Sequence, residues 1–244
     1  MEKQNKKRII PGNRKRIVFV SVILCLLVVF LIYTSQYYHS EESAYSALQS
    51  DKAVSVIETD YGWLFDGPSE TDALIFYPGA KVEETAYAPL LHLIAEQGMD
   101  ICLVRMPFHL PILNGNKADR VFQTHDYKRW YIGGHSLGGT MAAFYASGHS
   151  EQLNGVILLA AYTTKSLNGV LAISIYGTRD GVLNMEKMKE SEQYLSEDSK
   201  QYVIEGGNHA QFGNYGKQYG DGTADISSEE QQRITAEFIL QDRE

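Results

Sequence analysis

Apolar positions along this chain fall into two patterns. The first is one unbroken run, IVFVSVILCLLVVFLIY over 17–33, in which Ser21 is the polar exception. As a helix, a run of 17 residues rises about 25 Å, the short end of what crosses a bilayer. The second pattern starts after a polar stretch, TSQYYHSEESAYSALQSDKAV over 34–54, which predicts a stalk carrying a short helix. Beyond it, compact apolar runs alternate with segments of helical spacing. SVIETDYGWLFDG predicts two short strands around a turn. Further strands are predicted in ALIFYPG from Ala73, in MDICLVRMP over 99–107, in RWYIGGH, in GVILLAAY over 155–162, in VLAISIYG over 170–177 and in QYVIEGG. Helices are predicted over 85–97, with Tyr87, Leu90, Leu91 and Ile94 on one face and Pro89 in the first turn, and more weakly over 116–127. Others follow over 137–147 and 185–195, and a last one opens on a capping box at Ser227 and Glu230 and runs to Arg243 with Ile234 and Phe238 inward.

Strands and helices that alternate, with strands apolar almost throughout, imply an α/β fold: a mostly parallel sheet covered by helices on both faces. One link strains this plan. Seven residues separate Tyr162 from Val170, where a parallel crossover takes a dozen or more. Either the strand ends lie elsewhere or the crossover helix is truncated.

Charge divides the same chain into three objects. Residues 1–16 carry seven cations against Glu2, a net of +6, and residues 17–33 carry none. The whole chain sums to −8, so the part beyond Tyr33 holds −14. Cations on one side of an apolar run place that side in the cytoplasm. The expected organisation is a basic cytoplasmic tail over 1–16, a transmembrane helix over 17–33, a stalk over 34–54 and an extracellular domain over 55–244. Tyr33, Tyr37 and Tyr38 fall where an aromatic belt meets the outer headgroups. The rival reading is a cleaved signal and a secreted body, but the apolar run exceeds an ordinary signal core and no A-x-A-like site follows it. An acidic body argues against nucleic-acid partners. Two cysteines, Cys25 in the apolar run and Cys102 in ICLV, exclude a disulfide-built mini-fold, and an exported body without disulfides points to a bacterial cell surface.

The densest chemistry is GGHSLGG over 133–139, whose core Gly134-His135-Ser136-Leu137-Gly138 fits G-x-S-x-G between a strand and a small-residue helix. A sharp strand-to-helix turn strains the backbone at the serine and leaves no room for Cβ atoms on its neighbours. The helix N-terminus beside it favours developing negative charge. A serine nucleophile needs a base, and the base an orienting acid. Downstream histidines are His149, at the end of the elbow's own helix, and His209, in EGGNHAQFG just past the last strand, so His209 is the candidate base. Asp180, in YGTRDGV after the preceding strand, is the candidate acid, with Asp198, Asp221 and Asp225 as rivals. An oxyanion hole needs two backbone donors. Leu137 supplies one, and Gly79-Ala80-Lys81 the other, from Ala80 or alternatively Lys81.

These motifs resemble the alpha/beta hydrolase fold superfamily, and above all its small bacterial members with a YPG-A-K-V loop, an R-M-P strand end and G-G-H-S-L-G-G. The resemblance covers about 55–244. It implies an eight-stranded, mainly parallel sheet, a Ser136-Asp180-His209 triad and ester-type hydrolysis without metal or cofactor, acting on a small-molecule acyl ester. The lipase-type H-G-G-G loop is replaced by Pro78-Gly79-Ala80, and 163–169 leaves no room for a cap, which implies an open, shallow site. Thioester or amide substrates, or a catalytically silent surface scaffold, are the alternatives on the same fold.

Overall fold

The computed structural model describes residues 11–243. It divides into two units, residues 1–36 and residues 37–244. In the first, helix α1 (Pro11–Ser35) carries the apolar run and is, among the described residues, the one helix long and apolar enough to cross a membrane. Most apolar side chains from Ile17 to Tyr33 stand exposed along it.

The second unit holds an eight-stranded sheet with β1 (Ser55–Glu58), β2 (Gly62–Asp66), β3 (Asp72–Tyr77), β4 (Asp100–Val104), β5 (Arg129–His135), β6 (Gly155–Leu159), β7 (Leu171–Gly177) and β8 (Lys200–Ile204). Spatial order is β1-β2-β4-β3-β5-β6-β7-β8. β2 runs antiparallel to β1 and β4, and the rest of the sheet is parallel. The central strands β3, β4 and β6 are buried at every position, as both-face coverage demands. Two apolar cores lie against the sheet: one includes Leu90, Leu91 and Ile94 of helix α3 (Ala88–Glu96) and Ala236 and Ile239 of helix α7 (Ser228–Gln241), the other Ala142, Ala143 and Ala146 of helix α5 (Leu137–Gly148).

Four expectations are corrected. β6 ends at Leu159, not Tyr162, and β7 begins at Leu171; residues 160–170 link them without a helix, which resolves the short crossover and leaves no cap. The segment expected as a stalk is part of the compact unit from Tyr37 on: helix α2 (Glu42–Ser46) buries Ala44, and the Glu41 N–H donates to the Asn214 carbonyl at 2.8 Å. In α7 the fully buried face is Gln231, Gln232, Thr235, Ala236 and Ile239, and Ile234 and Phe238 turn inward as expected, half-buried and packed against the core. The weak helix over 116–127 shortens to α4 (Ala118–Phe122), and that over 185–195 to α6 (Met185–Ser191) with one tighter turn after it.

Ser227 caps α7 by accepting the Glu230 N–H at 3.2 Å, but the Glu230 carboxylate turns to Arg233, so the box is half made. Ser227→Ala is expected to cost about 1 kcal/mol, lowering the melting temperature by about 2–4 °C in calorimetry. Asp100 offers a pH test. Its carboxyl is buried, accepting from the Gly67 N–H (2.9 Å) and the Tyr127 hydroxyl (2.7 Å), and burial pushes its pKa up to about 6. An acid with a raised folded pKa binds more protons folded than unfolded between about pH 4 and 6, so it subtracts stability as pH rises through that window. Asp100→Asn is expected to gain melting temperature relative to the parent between pH 4 and 7; a constant difference across that range would refute this.

Candidate active site

β5 ends at His135 in the middle of the sheet, and α5 starts two residues later. Ser136 makes the turn between them at φ 54°, ψ −125°, a backbone conformation that L-residues adopt under constraint. The flanking glycines are required by contact. A Cβ on Gly134 would stand 2.3 Å from the Tyr77 carbonyl oxygen, and one on Gly138 2.2 Å from that of Pro78. The Ser136 N–H donates to the Leu159 carbonyl at 2.9 Å, which fastens the turn to β6. Its side chain is half-buried at the carboxyl edge of the sheet, the edge at which open α/β sheets bind ligands.

His209 follows β8 and Asp180 follows β7, so both reach the same edge. His209 Nδ1 bonds the Asp180 carboxylate Oδ2 at 2.9 Å, and each side chain is 1% exposed. The other Asp180 oxygen accepts the N–H groups of Val182 (2.9 Å) and Leu183 (2.8 Å). Asp221, weighed against Asp180 from the sequence, has a different position: it accepts the backbone N–H groups of His209 (3.2 Å), Ala210 (2.9 Å) and Gly181 (3.0 Å). It ties the histidine loop to the aspartate loop. Asp225 pairs with Arg179, and Asp198 precedes β8 at the opposite end of the sheet. His149 stacks on Tyr145 at the far end of α5.

His209 reaches the elbow through His135, whose ring centroid is 4.5 Å from its own. His209 Nε2 is buried and makes no hydrogen bond among the described residues. Bonds of this kind commonly close when substrate binds. His135 is itself buried, and desolvation, reinforced by His209, holds its pKa well below the usual range, so it stays neutral. Its Nδ1 bonds the Tyr87 hydroxyl at 2.8 Å, and that hydroxyl accepts the Gly79 N–H at 3.0 Å. Tyr87 thus joins the residue before the serine to the loop after β3. In that loop the Lys81 N–H donates to the His109 carbonyl at 2.7 Å, whereas the Ala80 N–H makes no hydrogen bond among the described residues. The Leu137 N–H belongs to the first turn of α5, where intrahelical acceptors run out.

Sequence reasoning missed two supports. Gln231 of α7 grips the peptide before His209, its Oε1 accepting the Asn208 N–H (2.9 Å) and its Nε2 donating to the Asn208 carbonyl (2.8 Å). Tyr87 read as a core aromatic of α3's face, and nothing in the sequence pairs it with His135, 48 residues on. Arg105 pairs with Glu84 and Glu58. Cys102 is inert: burial pushes its thiol pKa up to about 12. Among the described residues, no cluster of three or more His, Cys, Asp or Glu could hold a metal ion.

Comparison with known proteins agrees with this architecture. In solved structures the chain is similar to a membrane phospholipase A described as a bacterial virulence factor (TM-score 0.57, 12% identity, covering 93% of this chain and 98% of that one). It is also similar to a serine hydrolase involved in carbazole degradation (0.56, 11%, 78% and 100%) and to dienelactone hydrolase from Anabaena variabilis (0.54, 13%, 80% and 98%). At these identities the likeness shows the fold. No curated protein matches the chain in sequence. The family model of the alpha/beta hydrolases matches residues 73–233, a span that runs from β3 into α7 and takes in Ser136, Asp180 and His209, and the chain belongs to the alpha/beta hydrolase family.

Proposed function

We propose that the protein is a membrane-anchored serine hydrolase that cleaves a carboxylic ester through an acyl-enzyme. The observation that carries this reading is the buried His209–Asp180 pair beside a serine held in a strained elbow. In the proposed reaction the Ser136 hydroxyl attacks the acyl carbonyl while His209 Nε2 takes its proton. Asp180, on Nδ1, fixes the tautomer and stabilises the imidazolium. The Ala80 and Leu137 amides bind the oxyanion. Ala80 is the better placed donor of its loop, because the neighbouring Lys81 amide is already engaged with His109. His209 then protonates the leaving alcohol, and water, deprotonated by the same nitrogen, releases the acid.

Neighbours of the same fold with hydrolase activities, a membrane phospholipase A and a serine hydrolase among them, support a hydrolase. The anchoring helix is α1. The basic residues before it support a cytoplasmic N-terminus and a catalytic unit outside the membrane.

A fluorophosphonate probe is expected to label the full-length protein in detergent, and Ser136→Ala to abolish labelling. Equal labelling of that variant would overturn the assignment. With a short-chain ester, Asp180→Asn is expected to lower kcat by about 10³–10⁴ with little change in KM, through loss of the correct tautomer. Tyr87→Phe leaves the Gly79 N–H and His135 Nδ1 without their shared partner in a buried site, a loss of about 1–3 kcal/mol. It is expected to lower kcat about tenfold, more than it alters KM, and to lower the melting temperature.

A further inference from the structure

The link between α1 and the catalytic unit is short, and its far end is fastened beside the site. α1 ends at Ser35, Gln36 follows, and the compact unit begins at Tyr37. The Tyr38 N–H donates to the Lys81 carbonyl (2.7 Å), and the Glu83 N–H donates to the Tyr38 carbonyl (2.9 Å), a parallel bridge of Tyr38 on Val82. The Tyr37 ring stacks on His109 with centroids 4.0 Å apart, and His109 is the residue whose carbonyl holds the Lys81 amide. The strap is therefore bonded to the loop that carries Ala80.

Chain length then sets a limit that holds for any orientation of the helix. Three residues from Ser35 to Tyr38 span at most about 11 Å, the bridge from Tyr38 to Lys81 adds about 5 Å and one more peptide reaches Ala80, so the chain lets the site's loop stand at most about 20 Å from the helix end. A free stalk of 21 residues would have allowed about 70 Å. The headgroup zone on one side of a bilayer is about 5–8 Å deep. The same edge of the sheet exposes apolar side chains: Ile112 (62% exposed) and Leu113 (49%) after β4, Val182 and Met185 after β7, and Tyr219 (96%) after β8. Tyr219 is tied to the strap, its N–H donating to the Tyr38 hydroxyl at 3.1 Å. Apolar side chains at the edge of a unit on so short a tether suit a surface that takes up apolar groups.

From this we infer that the substrate is an amphiphilic lipid ester resident in the bilayer that α1 crosses, drawn into the site from the membrane surface. This deepens the serine-hydrolase reading and rests on α1 remaining as the anchor. The chemistry is the hydrolysis given above: the carbonyl-to-alkoxy bond breaks, water supplies the hydroxyl of the fatty acid and the proton of the alcohol, and the residual lipid keeps its headgroup.

The test uses the full chain reconstituted in vesicles of equimolar phosphatidylcholine and phosphatidylglycerol, with fatty-acid release from the vesicle lipid measured beside turnover of a soluble short-chain ester. Two variants are read in both assays. One carries a twenty-residue Gly/Ser insertion at Gln36, which lets the site drift by about 25 Å; the other is Ile112→Asp/Leu113→Asp. Each is expected to lower lipid turnover about tenfold, as effective concentration at the surface falls, and the insertion variant to leave soluble-ester turnover unchanged. Turnover of the soluble ester without release from vesicles overturns this inference and spares the hydrolase reading. Equal lipid turnover by the insertion variant, or a mature chain that begins beyond Tyr33, overturns it as well. Failure of both assays, with no probe labelling of Ser136, overturns the hydrolase reading itself.

Discussion

The backbone of Ser136 is the constraint on which the rest of the catalytic unit depends. A serine at φ 54°, ψ −125° carries strain of about 1–3 kcal/mol and persists only where its surroundings leave no alternative. Those surroundings are the centre of the molecule. β5 lies between β3 and β6, α5 leaves it within one residue, and the carbonyls of Tyr77 and Pro78 close on Gly134 and Gly138. Relaxing the turn would therefore require moving the central strands. Burial in a close-packed core converts a local strain into a fixed position for one hydroxyl.

Around that point the molecule uses carboxylates in two ways. Asp180 gives one oxygen to an imidazole and the other to two amides, so its charge is satisfied on both sides while 1% exposed. Asp221, twelve residues beyond the same histidine, gives both oxygens to backbone amides. The first orients a ring and the second holds the loop that carries the ring. Gln231 adds a third hold on the peptide before it. Buried polar networks of this kind gain from mutual satisfaction, and each member would be costly if left unpaired.

Much of this was legible in the sequence because it is local. Apolar runs gave the strands, and the strand-glycine-serine-helix succession marked the elbow. Chain order brought Asp180 and His209 to one edge once the sheet was taken as parallel. What the sequence hid is non-local pairing of polar groups. Gln231 and Gln232 look like solvent positions, so the apolar pattern of α7 shows Ile234 and Phe238 but not the rest of its inward face; the glutamines are buried because their amides find partners across the fold. The end of β6 was misplaced for the opposite reason. Ala160, Ala161 and Tyr162 continue the apolar run, but Ala160 turns to φ 46° and leaves the sheet. The polar composition of 34–54 predicted a free stalk, and no residue count could show that Tyr38 would bond the loop after β3.

The segment that follows α1 has a structural role of its own. The loop it binds is held by a positive φ at Lys81 (59°), and the loop bonded to it has positive φ at Phe108 and His109 (53° and 54°). Left-handed conformations in such residues cost about 1–2 kcal/mol each, so these loops need external support. Support comes from Tyr87 inside, through Gly79, and from Tyr38 outside, through Lys81 and Glu83. The Ala80 amide thus lies between a buried tyrosine and the segment that follows α1. A hydrolase without a cap needs some other way to hold this loop. One backbone segment meets that need here, through the hydrogen bonds of Tyr38 with Lys81 and Glu83.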